Sequence, residues 1–320
     1  MVKKHDNAIL FDWFSFTSKI DSVSSIISML GLYDLPFLDG KGAHGFKYRK
    51  YFEGISIHYE RDDGLVWLEM SGGGCRAFET YSKNPDWNEL FKKIVQDPEN
   101  YHITRLDIAY DDFNKVLNQD KMFKAMQKNY VVTKFRDYGL EHISFVKSDM
   151  TLFFGSNKSD IYIRIYNKAA ERGREDDIPH WVRFELQLRN DRAFDFINNY
   201  ILCDFDIGLV FLGVVNNYLR FVDPSADSNK SRWNTSKWWL KFINDVDKIN
   251  LYSKKDLDYN ESKLQNYVFG QAGQAINCAL DLYGVEGFSQ YLDTYLKQHR
   301  QNKNPKYDEL VERLTGGTSF

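Results

Sequence analysis

The stretch that most limits how this chain can fold is Ile161–Lys168, which reads I-Y-I-R-I-Y-N-K. Ile161, Ile163 and Ile165 are β-branched and apolar, whereas Tyr162, Arg164, Tyr166 and Lys168 are phenolic or cationic. Successive side chains of a strand point to opposite faces, so the pattern specifies one face to bury and one face with two hydroxyls among positive charges. Two further stretches repeat the design. In Thr104–Asp112, Arg105, Asp107, Ala109 and Asp111 alternate with Leu106, Ile108 and Tyr110. In Trp181–Arg189, Arg183, Glu185, Gln187 and Arg189 alternate with Val182, Phe184, Leu186 and Leu188. Leu65–Ser71 is a weaker fourth case, with Trp67 and Glu69 opposing Val66, Leu68 and Met70. Alone, each strand is most simply half-buried with a solvated polar face. Together they predict one sheet whose polar faces merge into a surface of carboxylates, arginines and tyrosines.

Such a surface has a chemistry. A nucleophilic oxygen beside groups that neutralise phosphate suits a phosphodiester. Tyr162 and Tyr166 share the polar face with Arg164 between them, while Arg164 and Lys168 flank Tyr166 and favour its phenolate. Asp107, Asp111 and Glu185, gathered on one site, would make a hard-oxygen ligand set for Mg²⁺ or Mn²⁺. Arg76, Arg105, Arg183, Arg189 and Lys237 are the cations expected to meet DNA. Ser71–Arg76 carries three glycines, which read either as a turn or as a backbone cradle for phosphate. Ser231–Phe242 interleaves basic residues with tryptophans, but Trp238, Trp239 and Phe242 share a helical stripe, the mark of a core-facing helix.

Composition narrows the field. A formal net charge of −3 argues against a protein that coats nucleic acid, and leaves room for a local positive groove. Three cysteines far apart, with no C-x-x-C, make neither a disulfide framework nor a zinc site. The longest apolar run, Ile207–Val215, is too short to span a membrane, and M-V-K-K-H-D has no apolar segment behind its lysines. A cytoplasmic protein is expected. There is no G-x-x-x-x-G-K-[ST] loop and no G-x-S-x-G elbow.

The element pattern to about residue 190 is strand, helix, hairpin, helix, strand, helix and four strands: an α+β domain with a mostly antiparallel sheet. Beyond it, Arg192–Tyr200, Asp206–Phe221, Thr235–Val246 and Tyr259–Leu296 read as helices with no further strand. A division is expected near residue 200, with 1–200 catalytic and 201–320 a helical region packed on the sheet and helping DNA recognition.

Five motifs then fall in a known order: I-L-F-D-W-F-S-F-T at Ile9–Thr17, L-E-M-S-G-G-G-C-R at Leu68–Arg76, R-L-D-I-A-Y-D-D at Arg105–Asp112, Y-I-R-I-Y-N-K at Tyr162–Lys168 and W-V-R-F-E-L-Q-L-R at Trp181–Arg189. In this the chain resembles the replication initiation factor family, the rolling-circle initiators of small plasmids and relaxases of some integrative conjugative elements. The resemblance implies metal-dependent nicking and strand transfer through a 5′-phosphotyrosine on Tyr166, the tyrosine of R-x-Y-x-K. It implies acidic residues where the wider nickase superfamily uses a pair of histidines, which fits Asp107, Asp111 and Glu185. The expected partners are origin DNA, a host helicase and a second copy of the chain. The alternative from another class is a DNA-binding module of the same fold without catalysis.

Overall fold

The computed structural model describes residues 6–142, 150–246 and 273–299. Met1–Lys254 forms one compact unit and Lys255–Phe320 a second. The first unit is organised on a ten-stranded sheet. Its strands are β1 (Ala8–Ser18), β2 (Leu38–Lys41), β3 (Tyr48–Phe52), β4 (Ile55–Tyr59), β5 (Val66–Met70), β6 (Tyr101–Asp112), β8 (Tyr138–His142), β9 (Met150–Gly155), β10 (Ile161–Asn167) and β11 (Val182–Arg189). In space they run β2-β3-β4-β5-β1-β6-β11-β10-β9-β8, and neighbouring strands pair antiparallel. The three strands read most clearly from sequence, β6, β11 and β10, are adjacent. A separate ribbon pairs β7 (Val131–Thr133) with β12 (Leu219–Phe221).

Helices cover the apolar face. They are α1 (Val23–Met29), α2 (Gly72–Tyr81), α3 (Trp87–Val95), α4 (Gln119–Gln127), α6 (Asn190–Leu202), α7 (Ile207–Tyr218) and α8 (Lys237–Val246), while α5 (Lys168–Arg172) follows β10 and packs Ala169 into a separate small cluster with Ile178 and Trp181. Local chemistry starts several of them: Ser22, Asp86 and Asp206 accept backbone N–H groups of the first turns of α1, α3 and α7, each cap contributing about 1 kcal/mol. Phe11 and Phe14 of β1 meet Trp87 and Phe91 of α3, and Phe11 also meets Tyr200 of α6. Farther along, Phe184 of β11 packs on Phe211 of α7 and on Trp239 and Phe242 of α8, with Tyr110 of β6 edge-on to Phe242. The tryptophan stripe of α8 is therefore core.

These contacts place the division expected near residue 200 inside the first unit, because Tyr200, Phe211, Trp239 and Phe242 fill the same core as the strands. Leu219–Phe221 is a strand where sequence predicted helix, since Leu219 and Phe221 are buried by pairing with β7. Ser71–Arg76 is the entry from β5 to α2, the turn of the two readings the sequence offered. The second unit is described over α9 (Gly273–His299), which holds Gly284 at φ 68°; the earlier part of the predicted Tyr259–Leu296 helix lies outside the described residues. No described helix is long and apolar enough to cross a membrane.

One buried polar cluster ties α2 to β1. Arg76 donates to the Phe11 carbonyl at 2.6 Å and to Glu79 at 2.8 Å, and the Trp87 indole donates to the same Glu79 oxygen at 2.8 Å. Burial pushes the Glu79 carboxyl up from 4.5 to about 7, against the pull of Arg76. The folded chain therefore binds more protons than the unfolded chain between those values, and this group's contribution to stability falls as pH rises from 4.5 through 7. Glu79→Gln is expected to flatten that slope: the melting temperature lost between pH 5 and pH 8 should shrink. An unchanged loss across the same pH range would show that Glu79 does not titrate in the fold.

Candidate active site

Register sets the site out in rows across β10, β11 and β6. Tyr166 faces Arg183, which faces Asp111; Arg164 faces Glu185, which faces Ala109; Tyr162 faces Gln187, which faces Asp107. The side chains bond along and between these rows. The Tyr166 hydroxyl donates to Glu185 Oε2 at 2.9 Å, and Arg164 holds the other oxygen of the same carboxylate. Lys168 Nζ stands 3.4 Å from the Tyr166 oxygen and 2.5 Å from Glu171 Oε2. Arg183 grips Asp111 with two parallel bonds of 2.7 Å and uses its remaining nitrogen on Asp12, also at 2.7 Å.

This face is not a solvated one. Asp107, Asp111, Arg183 and Glu185 are each 4% exposed or less, and each is paired with a group of opposite charge, as groups buried this deeply must be. Burial and the Glu185 charge push the Tyr166 phenol well above its ordinary value, against the pull of Arg183. The resting tyrosine is protonated and needs a base. Burial, helped by Arg183, pushes the Lys168 ammonium down. Asp107 is pushed up to about 7 by burial, with Glu185 and Asp12 adding to the shift and Arg105 opposing it.

The predicted residues thus separate. Tyr166, Arg164, Lys168 and Glu185 come together around one phenol oxygen, while Tyr162 sits two rows away, 6% exposed. Asp107, Asp111 and Glu185 do not assemble as a metal shell: each is closed by its own arginine, Arg105, Arg183 and Arg164 respectively. Among the described residues no three His, Cys, Asp or Glu side chains are grouped to hold an ion. Of the expected DNA contacts, Arg105 and Arg189 are partly exposed on this face. Arg183 is locked in the clamp and Arg76 is turned inward onto Phe11 and Glu79. Lys237 is exposed on α8, a helix that packs on the opposite face of the sheet.

Comparison with known proteins places this arrangement. A family profile described as "Replication initiation factor" matches residues 101–296, which include β6, β10 and β11. The chain belongs to the replication initiation factor family. It is 29% identical over 328 residues to a protein named putative DNA relaxase NicK of Bacillus subtilis (strain 168), covering 96% of this chain and 92% of that protein. It is 27% identical over 267 residues to a replication initiation protein of Staphylococcus aureus, covering 78% of this chain and 77% of that one. The solved structure of a rolling circle replication initiator protein from Geobacillus stearothermophilus superposes with a TM-score of 0.71 at 30% identity, over 78% of this chain and all of that chain (100%).

In this member of the family one site residue escapes the reading by alternation: Asp12. The β1–β6 register slips between Phe11 and Trp13, so Asp12 is the extra residue of a β-bulge, a device that re-aims a side chain. It reaches across β6 to Arg183 on β11. Burial works to protonate it, but Arg183, Lys168 and Arg76 outweigh burial and hold its carboxyl below the ordinary 3.8. A signal exists in the sequence: core positions Ile9 and Phe11 are followed by Phe14 and Phe16, a spacing of three where a plain strand has two.

The first glycine of α2, Gly72, makes room for this aspartate. A Cβ on Gly72 would stand 2.8 Å from Asp12 Oδ1 and 3.3 Å from its carbonyl oxygen, whereas a Cβ on Gly73 would meet nothing closer than 3.7 Å. Gly72→Ala is expected to push Asp12 off Arg183 and to cost about 1–3 kcal/mol. Gly73→Ala, in ordinary contact, is expected to be neutral or to stabilise by up to about 1 kcal/mol through helix propensity. Urea unfolding of the two variants checks this; equal stabilities would remove Gly72 from the support of the site.

Proposed function

We propose that this protein is a site-specific DNA nicking enzyme that opens one strand at an origin to start rolling-circle replication or conjugative transfer, with Tyr166 as the nucleophile. What supports the reading is the bonded set on one oxygen: the Tyr166 hydroxyl donates to Glu185, Arg164 holds that carboxylate in place, and Lys168 faces the phenol. A relative named as a putative DNA relaxase matches in sequence, and one named as a rolling circle replication initiator protein matches in fold and sequence.

The proposed steps use this geometry, with the polarity of the cut that the family resemblance implies. Glu185 takes the phenol proton as the oxygen attacks phosphorus, which a buried tyrosine requires because its own ionisation is disfavoured. The bond between phosphorus and the 3′ oxygen breaks, and that oxygen takes a proton from water, leaving a 5′-phosphotyrosine and a 3′-hydroxyl. Lys168 stabilises the phenolate, and Arg164 is near enough to the ring, 5.6 Å from its centroid, to neutralise charge that builds on the phosphate. The ester keeps the phosphodiester's free energy, so the strand can be resealed without ATP, and the 3′-hydroxyl can prime a polymerase.

Divalent metal belongs to this proposal in a narrower form than the sequence suggested. Asp107, Asp111 and Glu185 as folded do not fit a resident ion, since each is occupied by an arginine, and no step above runs through one. Mg²⁺ is commonly held by one or two carboxylates together with substrate phosphates, so an ion is expected to arrive with the DNA. EDTA should then abolish nicking and restored Mg²⁺ or Mn²⁺ revive it, while neither shifts the melting temperature of the DNA-free protein. A large Mg²⁺-dependent rise in that temperature would reveal a preformed site and overturn this form of the proposal.

The chemical step is tested on a supercoiled plasmid carrying the DNA that flanks this chain's own coding sequence. Tyr166→Phe removes only the nucleophilic oxygen and should lower covalent, SDS-resistant adduct by about three orders of magnitude or more with DNA binding retained. Glu185→Gln should slow nicking by about 100- to 10,000-fold, the range for a lost general base. Full adduct from Tyr166→Phe would transfer the role to another tyrosine; tight binding with no nick from the unmodified protein would reduce the chain to a binding module.

A further inference from the structure

The polar face does not end at the tyrosine. It continues over β6 and β1 onto β5, β4 and β3, where the register aligns Trp67 with His58 and His58 with Arg49. Trp67 and His58 are stacked, with ring centroids 4.6 Å apart and planes 22° apart, and His44 lies edge-on to Trp67 at 5.3 Å. On β1 the bulge that frees Asp12 also turns Trp13 to this face, opposite Asp107, with the Arg105 guanidinium 4.2 Å from its ring centroid. Both tryptophans are only partly buried.

Within this row three buried donor-capable nitrogens make no hydrogen bond: Arg49 Nε, His58 Nδ1 and Trp67 Nε1. Buried polar atoms are rarely left so, and three in one cross-strand row call for an explanation. The main core does not supply one, because the apolar positions of β5, Val66, Leu68 and Met70, point to the other face; on this face Trp67 and His58 meet the ring of Phe46, which offers neither of them a hydrogen-bond acceptor. Burial, with Arg49 and His44 adding to it, holds His58 down at about 4, so at neutral pH it offers an uncharged imidazole rather than a second cation.

We propose that this end of the sheet is a nucleobase subsite, in which Trp67 and Trp13 stack bases of single-stranded DNA and Arg49 contacts its backbone. The proposal rests on the reading of Tyr166 as the nucleophile for its direction: the bound segment is the single strand leading away from the scissile phosphate. By register Tyr166 is level with Ala8 of β1 and Trp67 with Thr17, so Trp67 lies four strand spacings across the sheet, roughly 19 Å, and about 30 Å along it, and the bases it takes lie several nucleotides from the cut. Flat aromatic faces with a scattered positive charge recognise single-stranded DNA with little sequence preference, which suits a strand held open beside a nick.

Binding is measured without cleavage, by fluorescence anisotropy with labelled oligothymidylate of roughly 20 nucleotides, a length chosen to exceed the 4–16 nucleotides a single-strand site covers. Trp67→Leu should weaken binding about 5- to 150-fold, the loss expected for one stacked base, and Trp67→Phe should recover most of it. Arg49→Gln should instead lower the slope of log affinity against log salt by about 1. Equal affinities for the unmodified protein and a folded Trp67→Leu would overturn the proposal. A second measurement needs no variant: oligothymidylate carrying 5-iodouracil, photocrosslinked to the unmodified protein, should label the tryptic peptide Asp62–Arg76 that contains Trp67. Label confined to other peptides would overturn it as well. Because neither measurement uses the nicking reaction, loss of the phosphotyrosine reading would leave this binding intact, and loss of the subsite would leave the adduct intact.

Discussion

A guanidinium that is 4% exposed must find anions or destabilise the strand that carries it, and Arg183 finds two. Its fork on Asp111 ties β11 to β6, and its third nitrogen on Asp12 ties β11 to the bulge of β1. Breaking a buried pair by removing one partner typically costs about 3–5 kcal/mol, because a lone buried charge is left behind. The clamp therefore ties three strands together. Tyr166 is opposite Arg183, so the position of the phenol follows from the clamp. Gly72 follows as well, since only a residue without a side chain leaves Asp12 room to reach in.

The next row is built on the same logic and has a different outcome. Glu185 also meets an arginine, yet keeps one oxygen for the Tyr166 hydroxyl. A carboxylate shared between a cation and a phenol is oriented to accept the phenol's proton. With Asp107 held by Arg105, every carboxylate once counted as a metal ligand has a cation of its own. The site is thus closer to charge-neutral than its acids alone suggest, and a phosphate entering it brings charge that the arginines can take over from the carboxylates.

Much of this was legible in the sequence, for a physical reason. Side-chain alternation is enforced by strand geometry, so I-Y-I-R-I-Y-N-K, R-L-D-I-A-Y-D-D and W-V-R-F-E-L-Q-L-R displayed both their strands and their polar faces, and these proved to be neighbouring strands. The stripe Trp238, Trp239 and Phe242 likewise announced a core-facing helix. What alternation cannot carry is an interruption of itself or a partner from elsewhere. Asp12 sits at a bulge, and the pairing of each carboxylate with an arginine depends on strand order rather than on local pattern. Arg76 looked like a surface cation beside glycines, but α2 turns it toward the Phe11 carbonyl. Leu219–Phe221 continued the apolar run of a helix and became a strand because β7 was there to pair with it.

The central claim is that the DNA is joined to Tyr166 and to no other tyrosine on this face, and the chain offers a direct way to read it. Trypsin cuts after Lys158, Arg164 and Lys168, so Tyr162 and Tyr166 leave in separate peptides, Ser159–Arg164 and Ile165–Lys168. Trapped protein–DNA adduct, digested with nuclease and trypsin and sequenced by mass spectrometry, should carry its residual nucleotide on Ile165–Lys168. A nucleotide on Ser159–Arg164, or on any peptide from outside β10, would contradict the account.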